Sequence, residues 1–463
     1  MEGLNHEFFS NLRVGDLKAS TNKLKQFHNK YIPSFKTKTR NLWKQSLQYL
    51  QGIFLEKGRG NMVNYARNVP DTNNQVLQNF ISDSPWDERP VINQIQKDVS
   101  QLIGDKDNGS IHIDESGFKK SGKNSVGVKR QYCGRLGKVE NCQVGVYLGY
   151  ANGNRRTLID ERLYLPEDWA NDPVRRSQCG VPEDVTFKTK AELGLEMIAD
   201  AKERRVPFAW VGMDCFYGEQ PWLRSAIDSK GMIYIADIPC DTQVWLNQPR
   251  TEIPEKKGTR GRNPTIEKLV QGESEPVQVQ KLAKYPDIEY HRVFLRDTER
   301  KEFWSHLACL RVYPVEDKLP GKEIWLIIRK DEGDNKTKYQ FSNAPADTRI
   351  ERLGQMSCSR YWMERALQDA KGNTKMADYQ VRGWTGWHHH MVMTLLAMLF
   401  ILEMQVEFGK KAPMTSVQDV KEILEVIMQR KEITEAEILA VILQKHRARL
   451  SARKSHHRRN LRR

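Results

Sequence analysis

Between Gly109 and Pro239 the chain runs through three strand-like segments, then helix, strand, helix and strand, and that order leaves few folds open. SIHIDES, NCQVGVYLGYA and RRTLIDERLYLP are β-rich runs with turn residues between them. AELGLEMIADAKERR follows at helical spacing, then the strand FAWVGMD, the short helix QPWLRSAID and the strand MIYIADIP. Strands joined by short turns pair antiparallel, whereas a strand reached through a helix returns parallel. The order predicts an antiparallel meander continued by crossovers into a mixed α/β sheet, with the first and fourth strands as neighbours.

The flanks read differently. KLKQFHNKYIPSF, TRNLWKQSLQYLQGIFL and RPVINQIQKDVSQLIG carry apolar residues at helical spacing and predict a helical domain over 1–105. Inside it, RGNMVNYARNVPDTNNQVLQNFISDSPWD holds two short helical patterns around a Pro-Asp-Thr-Asn-Asn turn, either a DNA-reading helix-turn-helix or an ordinary helical hairpin. The sheet's first part spans 106–240. PRTEIPEKKGTRGRNP then reads as an exposed basic loop, and RVFLR, ACLRVYPV, IWLIIRK and KYQFSNA as strands of a β-rich insertion over 241–345. RYWMERALQDAK and WHHHMVMTLLAMLFILEMQ place helices in 346–410, and a helical region follows over 411–463. Its acid-free end, HRARLSARKSHHRRNLRR, reads as a disordered tail available to phosphates.

A chain of 463 residues with 39% hydrophobic residues is long enough for several domains with a sizeable core. Its 74 Lys and Arg against 59 Asp and Glu give a formal net charge of +15, which favours polyanion partners and excludes none by itself. The seven cysteines are scattered, with no C-x-x-C pair, which argues against a zinc site or disulfide framework and fits a reducing cytoplasm. The N-terminus lacks the apolar core of a signal peptide. The apolar run from Met391 to Leu402 is too short to span a bilayer and reads as a buried helix, so no membrane partner is expected.

Asp114 lies inside the apolar run Ile-His-Ile-Asp, and Asp214 ends Ala-Trp-Val-Gly-Met-Asp. Either one alone could be a cap or turn residue. On neighbouring strands they would sit side by side, repel each other and raise each other's pKa. A divalent cation removes that penalty, and Mg²⁺ takes a few carboxylate oxygens while keeping positions for water and substrate phosphate. Two such ions can activate the attacking oxygen and stabilise the leaving oxygen of an in-line phosphoryl displacement. Arg360, Glu364 and Lys371 lie four and seven apart, on one face of a helix. That spacing is equally the spacing of a solvated face with ordinary ion pairs.

The same residues carry a resemblance. The chain resembles the DDE transposases of bacterial insertion sequences in the group marked by Tyr-x2-Arg-x3-Glu-x6-Lys, matching at Arg360, Glu364 and Lys371 and departing at Ser357, where the group has tyrosine. IDESGFKKSGKNSVGVKRQYCGRLGKVENCQVGV and DYQVRGWTGWHHHMVMTLLAMLF are similar to one branch of that group, over roughly residues 25 to 410. The resemblance implies an RNase H-like core interrupted by the β-rich insertion, and a metal triad of Asp114, Asp214 and Glu364 holding Mg²⁺ (or Mn²⁺), as two ions. Glu115 would then face the other side of its strand. Cut-and-paste transposition on double-stranded DNA is implied as well, with a dimer bridging transposon ends, in the bacterial cytoplasm at the nucleoid. The alternatives are another RNase H-like endonuclease or resolvase, and a domesticated DNA-binding protein without catalysis.

Several basic residues are candidates for phosphate contact. They are Arg360 and Lys371, then Lys119, Lys120 and Lys123 after the first Asp, and Lys256, Lys257, Arg260 and Arg262 in the Gly-rich loop. Relatives in the group can stack a flipped base on a tryptophan of the insertion, and Trp245, Trp304 and Trp325 all lie in that region. His388, His389 and His390 point in different directions on a helix, so they read as packing and DNA-proximal residues rather than a metal site.

Overall fold

The computed structural model describes residues 13–19, 22–255, 262–298, 301–334, 336–378, 380–432 and 434–460. The chain opens with helices α1 (Val14–Ala19), α2 (Lys23–Asn29), α3 (Trp43–Leu55), α4 (Met62–Asn68), α5 (Asn74–Ser82) and α6 (Glu88–Ile103). Asn61, Asn73 and Asp87 each cap the helix that follows by accepting a backbone N–H of its first turn. The expected helix pair is therefore present as α4 and α5, each burying its apolar side, with Tyr65 on the first and Leu77, Phe80 and Ile81 on the second.

The sheet begins with β1 (Ser110–Lys119), β2 (Lys129–Cys133), β3 (Lys138–Asn152) and β4 (Arg155–Leu163). Helices α7 (Glu167–Ala170), α8 (Pro173–Cys179) and α9 (Lys190–Glu203) lead to β5 (Trp210–Met213). After it come α10 (Cys215–Gly218), α11 (Pro221–Ser229) and β6 (Ile233–Asp237). β3 pairs antiparallel with β1 and β4, while β5 pairs parallel with both β1 and β6. The order β4-β3-β1-β5-β6 is the expected RNase H-like arrangement, with the first and fourth expected strands adjacent as β1 and β5.

The next segment holds β7 (Gln243–Trp245), β8 (Thr251–Glu252), β9 (Lys268–Leu269), β10 (Val277–Gln278), α12 (Val279–Leu282) and β11 (His291–Asp297). It continues with β12 (Glu302–Glu316), β13 (Leu319–Pro320), β14 (Ile324–Asp331) and β15 (Thr337–Ser342). The four strand-like runs expected there are β11, β12, β14 and β15. They extend the core sheet: β15 pairs antiparallel with β6, β14 with β15 and β12 with β14.

Helices α13 (Ile350–Cys358), α14 (Tyr361–Asn373), α15 (Trp384–Gly409), α16 (Val417–Ile427) and α17 (Glu435–Asn460) complete the described chain. Among the described helices α15 alone is long and apolar enough to cross a membrane. Here it packs against α3, α5, α6 and β4, and its side chains from Gly386 to Leu402 are buried. One continuous hydrophobic core therefore joins the N-terminal helices, the sheet and α15, for example through Phe54, Ile159 and Phe400. The basic segment after Lys445 departs from expectation, since α17 runs on through it to Asn460. Ala, Arg, Lys and Leu are good helix formers and no Pro or Gly interrupts them, which outweighs the mutual repulsion of the charges.

Candidate catalytic carboxylate site

Period-two alternation decides what each strand residue faces. Ile113 packs on Gly194 of α9, and Glu115 pairs with Lys190 of the same helix at 2.7 Å. His112 and Asp114 therefore point to the opposite face, where α14 and α15 lie. Tyr147, opposite Asp114 in the register, confirms this side by reaching the Met391 sulfur of α15 at 3.4 Å. Glu115 thus faces away from Asp114, as expected.

Ile113 pairs with Met213 in the last rung of the parallel β1–β5 ladder, so Asp114, midway along β1, and Asp214, just past the end of β5, both follow that rung. Both are half-buried. The Asp114 carboxyl is pushed up to about 7, first by loss of water and then by the charge of Asp214. Asp214 is raised too, chiefly by burial, with Glu115 and Asp237 adding to it. Backbone donors partly offset this: Asp114 Oδ1 accepts from the Glu115 N–H at 2.7 Å, and Asp214 Oδ1 accepts from the Tyr217 N–H at 3.2 Å. Asp214 is therefore both the N-cap of α10 and a member of the acid pair.

The helix that carries Glu364 is seated by small residues and polar contacts. Gly149 of β3 lies under Met363, where an added Cβ would come within 2.4 Å of the sulfur. Arg156 of β4 pairs with Asp369 at 2.5 Å, and the Trp210 indole N–H donates to Ser359 Oγ at 3.0 Å. Arg360, Glu364 and Lys371 all belong to α14, Arg360 at its N-cap with helical backbone angles. α13 ends at Cys358, Glu364 is in the first turn of α14 and Lys371 in its last. Ser357, at the signature's tyrosine position, is buried, and its carbonyl accepts from Arg329 and from Gln340. It has become a structural junction between α13 and the inserted strands.

Arg360 is the centre of charge. Its Nε is 2.8 Å from Asp237, the last residue of β6, and an Nη is 2.7 Å from Glu364. Asp237, Glu364, Asp114 and Asp214 all favour its cationic form. Asp237 also accepts from the Gln340 amide at 2.6 Å. The sequence reading missed Asp237, although IYIAD repeats the apolar-strand-then-acid pattern of Asp214. It missed His112 as well, a buried imidazole on the site face of β1, bonded to Ser110 Oγ at 2.8 Å. Burial and the nearby Arg360 lower that imidazole to about 3.

Oxygen-only donors that repel each other and are desolvated fit a hard divalent cation. Asp114 and Asp214 are in place for one. Glu364 is half-exposed and held by Arg360, so among the described residues no three acidic, His or Cys side chains stand close enough to hold an ion together.

The other expected site residues fall as follows. Lys119 is exposed and pairs with Glu140 at 3.2 Å. Lys120 is half-buried beside Arg59, and burial followed by that neighbouring cation lowers its pKa to about 8. Lys123 and Arg262 are exposed, whereas Lys256, Lys257 and Arg260 lie outside the described residues. Trp245 is buried with its N–H on the Ser274 carbonyl, Trp325 is covered by Arg311, and Trp304 is half-buried between Phe294 and Arg292. The three consecutive histidines are all buried and separately bonded: His388 to Glu161, His389 to the Ile81 and Trp86 carbonyls, and His390 to Tyr49 and the Lys375 carbonyl. Packing is their role in the fold.

An RNase H-like sheet with two acids just past the last rung of its central parallel ladder is the framework of an enzyme that cuts nucleic-acid phosphodiesters. The DDE superfamily endonuclease family matches residues 30–302, more than half of the chain, and the chain belongs to that family. It is 26% identical to the probable transposase for insertion sequence element IS701 of Microchaete diplosiphon, over 346 residues covering 73% of this chain and 77% of that protein. It is also similar to a piggyBac transposase in a synaptic complex with hairpin DNA, at a TM-score of 0.37 and 11% identity, covering 89% of this chain and 76% of that one.

Proposed function

We propose that this protein is the DNA transposase of an insertion element, cutting and rejoining DNA at the element's terminal inverted repeats. The observation that carries the reading is the acid pair Asp114 and Asp214, adjacent, desolvated and raised in pKa, in a chain of the DDE endonuclease family. The likeness to an insertion-sequence transposase over most of both chains supports it. Asp114, Asp214 and, after rotation, Glu364 would hold Mg²⁺ or Mn²⁺, which as a pair of ions would activate the attacking oxygen and neutralise the leaving one. Lys119, Lys120 and Lys371, with Arg360, would contact the DNA backbone. Bringing two DNA ends together calls for a dimer in the active complex.

Purified full-length protein is incubated with Mg²⁺ and a labelled duplex bearing the terminal repeat. Nicking at the repeat boundary followed by strand transfer is the expected result. Asp114→Asn, Asp214→Asn and Glu364→Gln should each abolish cutting and leave binding within about threefold of wild type. Cleavage of branched DNA without joining would replace the reading by a resolvase. Binding without any cutting would replace it by a non-catalytic DNA-binding protein.

A further inference from the structure

Resting on the carboxylate-site reading above, we propose that Asp237 is a positioning residue: it anchors Arg360, and Arg360 in turn holds Glu364 off the aspartate pair while DNA is absent. The geometry is a bridge with a fixed end and a free end. Asp237 terminates β6 inside the sheet, is tied to Gln340 of β15, and takes the Arg360 Nε at 2.8 Å. Glu364 sits on the first turn of α14, half-exposed, and takes the outer nitrogen at 2.7 Å. The arginine itself is fixed at the N-cap, because Trp210 and Arg329 pin the residues just before it through Ser359 and Ser357.

A guanidinium placed among four carboxylates supplies the positive charge that a divalent ion would otherwise bring. It cannot share that place with an ion at full strength, because like charges a few ångströms apart repel. Phosphate is the other partner for which a guanidinium fork is suited. A DNA phosphate at the site would compete for Arg360, free Glu364 and let the triad close. The bridge thus couples arrival of DNA to completion of the metal site, and Asp237 sets the position from which Arg360 must be drawn.

The test is Mn²⁺ alone, titrated into the DNA-free full-length protein and followed by the electron paramagnetic resonance of free Mn²⁺. Glu364→Gln is compared in three backgrounds. With Arg360 and Asp237 intact, Glu364 is withheld, so the substitution should change Mn²⁺ affinity by less than about twofold. In Arg360→Gln it should weaken affinity by about tenfold, and in Asp237→Asn by at least about threefold, a non-additivity that only coupled residues show. Arg360→Lys keeps the charge but lacks the fork, and should fall between. A Glu364→Gln loss as large in the intact background as in Arg360→Gln overturns the proposal. An Asp237→Asn background that behaves like wild type removes Asp237 as the anchor. Mn²⁺ binding indifferent to Asp114→Asn would sink the site reading and this inference with it, and so is distinguishable from failure of the bridge alone. Matching thermal melts for all variants ensure that folded proteins are compared.

Discussion

His389 lies flat against Trp86, with ring centroids 3.7 Å apart and 14° between the planes. Its Nδ1 and Nε2 each stand 2.9 Å from a backbone carbonyl, of Ile81 and of Trp86. One side chain thus ties α15, which also packs on β4, to the end of α5 and to the segment that joins α5 to α6. Together with His390 on Tyr49 it explains why the N-terminal helices share a core with the sheet. His389→Ala should therefore cost ~2–4 kcal/mol, from the cavity and from the one carbonyl that loses the neutral imidazole's N–H. Urea unfolding measures it, and a loss under about 0.5 kcal/mol would show the contact to be incidental.

The same histidines make the fold acid-sensitive. The two carbonyls favour a protonated His389, but burial is the larger effect and lowers it to about 4. His28 and His390 are likewise lowered to about 4 by burial, and His112 to about 3. For each, the folded pKa lies below the ordinary value of about 6.5, so the unfolded chain binds more protons between the two. Their contribution is complete above about pH 6.5 and is lost as pH falls toward 4 and below. The urea midpoint should drop through that window, and one that stays flat from pH 7 to pH 4 would contradict the assignment.

Asp114 runs the opposite way. Its folded pKa of about 7 exceeds the ordinary aspartate value of about 3.9, so its ionised form burdens the metal-free fold. The burden is absent below pH 3.9, grows between 3.9 and 7, and is full above. Asp114→Asn should therefore raise the metal-free melting temperature by a few degrees at pH 8 while removing activity. The gain should shrink to nothing near pH 4. A destabilised variant at pH 8 would mean that the carboxylate is not under strain from its neighbours.

Much of this site was legible because strand physics is local. An acid ending an apolar β-run is costly wherever the strand is buried, and that marked Asp114 and Asp214. Alternation then separated Asp114 from Glu115, and Lys190 shows where the second one goes. Glu364 was different. Its spacing fits any solvated helix, and only the family signature selected it. Asp237 had the same local mark as Asp214, but its significance comes from Arg360, far along the chain and brought there by the sheet. The break between α13 and α14 left no trace either, since SCSRYW contains no Pro or Gly. At that junction Trp210 of β5 bonds Ser359, while Arg329 and Gln340 of the inserted strands bond Ser357, contacts that the sheet brings together.

Seating of the Glu364 helix offers a further test, on the buried pair Arg156 and Asp369. They meet at 2.5 Å with side chains 10% and 8% exposed. Burial still pushes the Asp369 carboxyl above its ordinary value although Arg156 bonds it, so loss of water outweighs the attraction. Removing one partner should be severe: Asp369→Ala leaves a buried guanidinium uncompensated and should cost ~3–5 kcal/mol. Replacing both by apolar residues of similar size, Arg156→Met with Asp369→Leu, should recover most of that loss, because α14 is also held by Met363 on Gly149 and by Ser359 on Trp210. Cutting activity should follow the same order, low in the single variant and largely restored in the double. A double variant as unstable as Asp369→Ala would show that the ion pair itself, rather than the packing around it, holds the helix to β4.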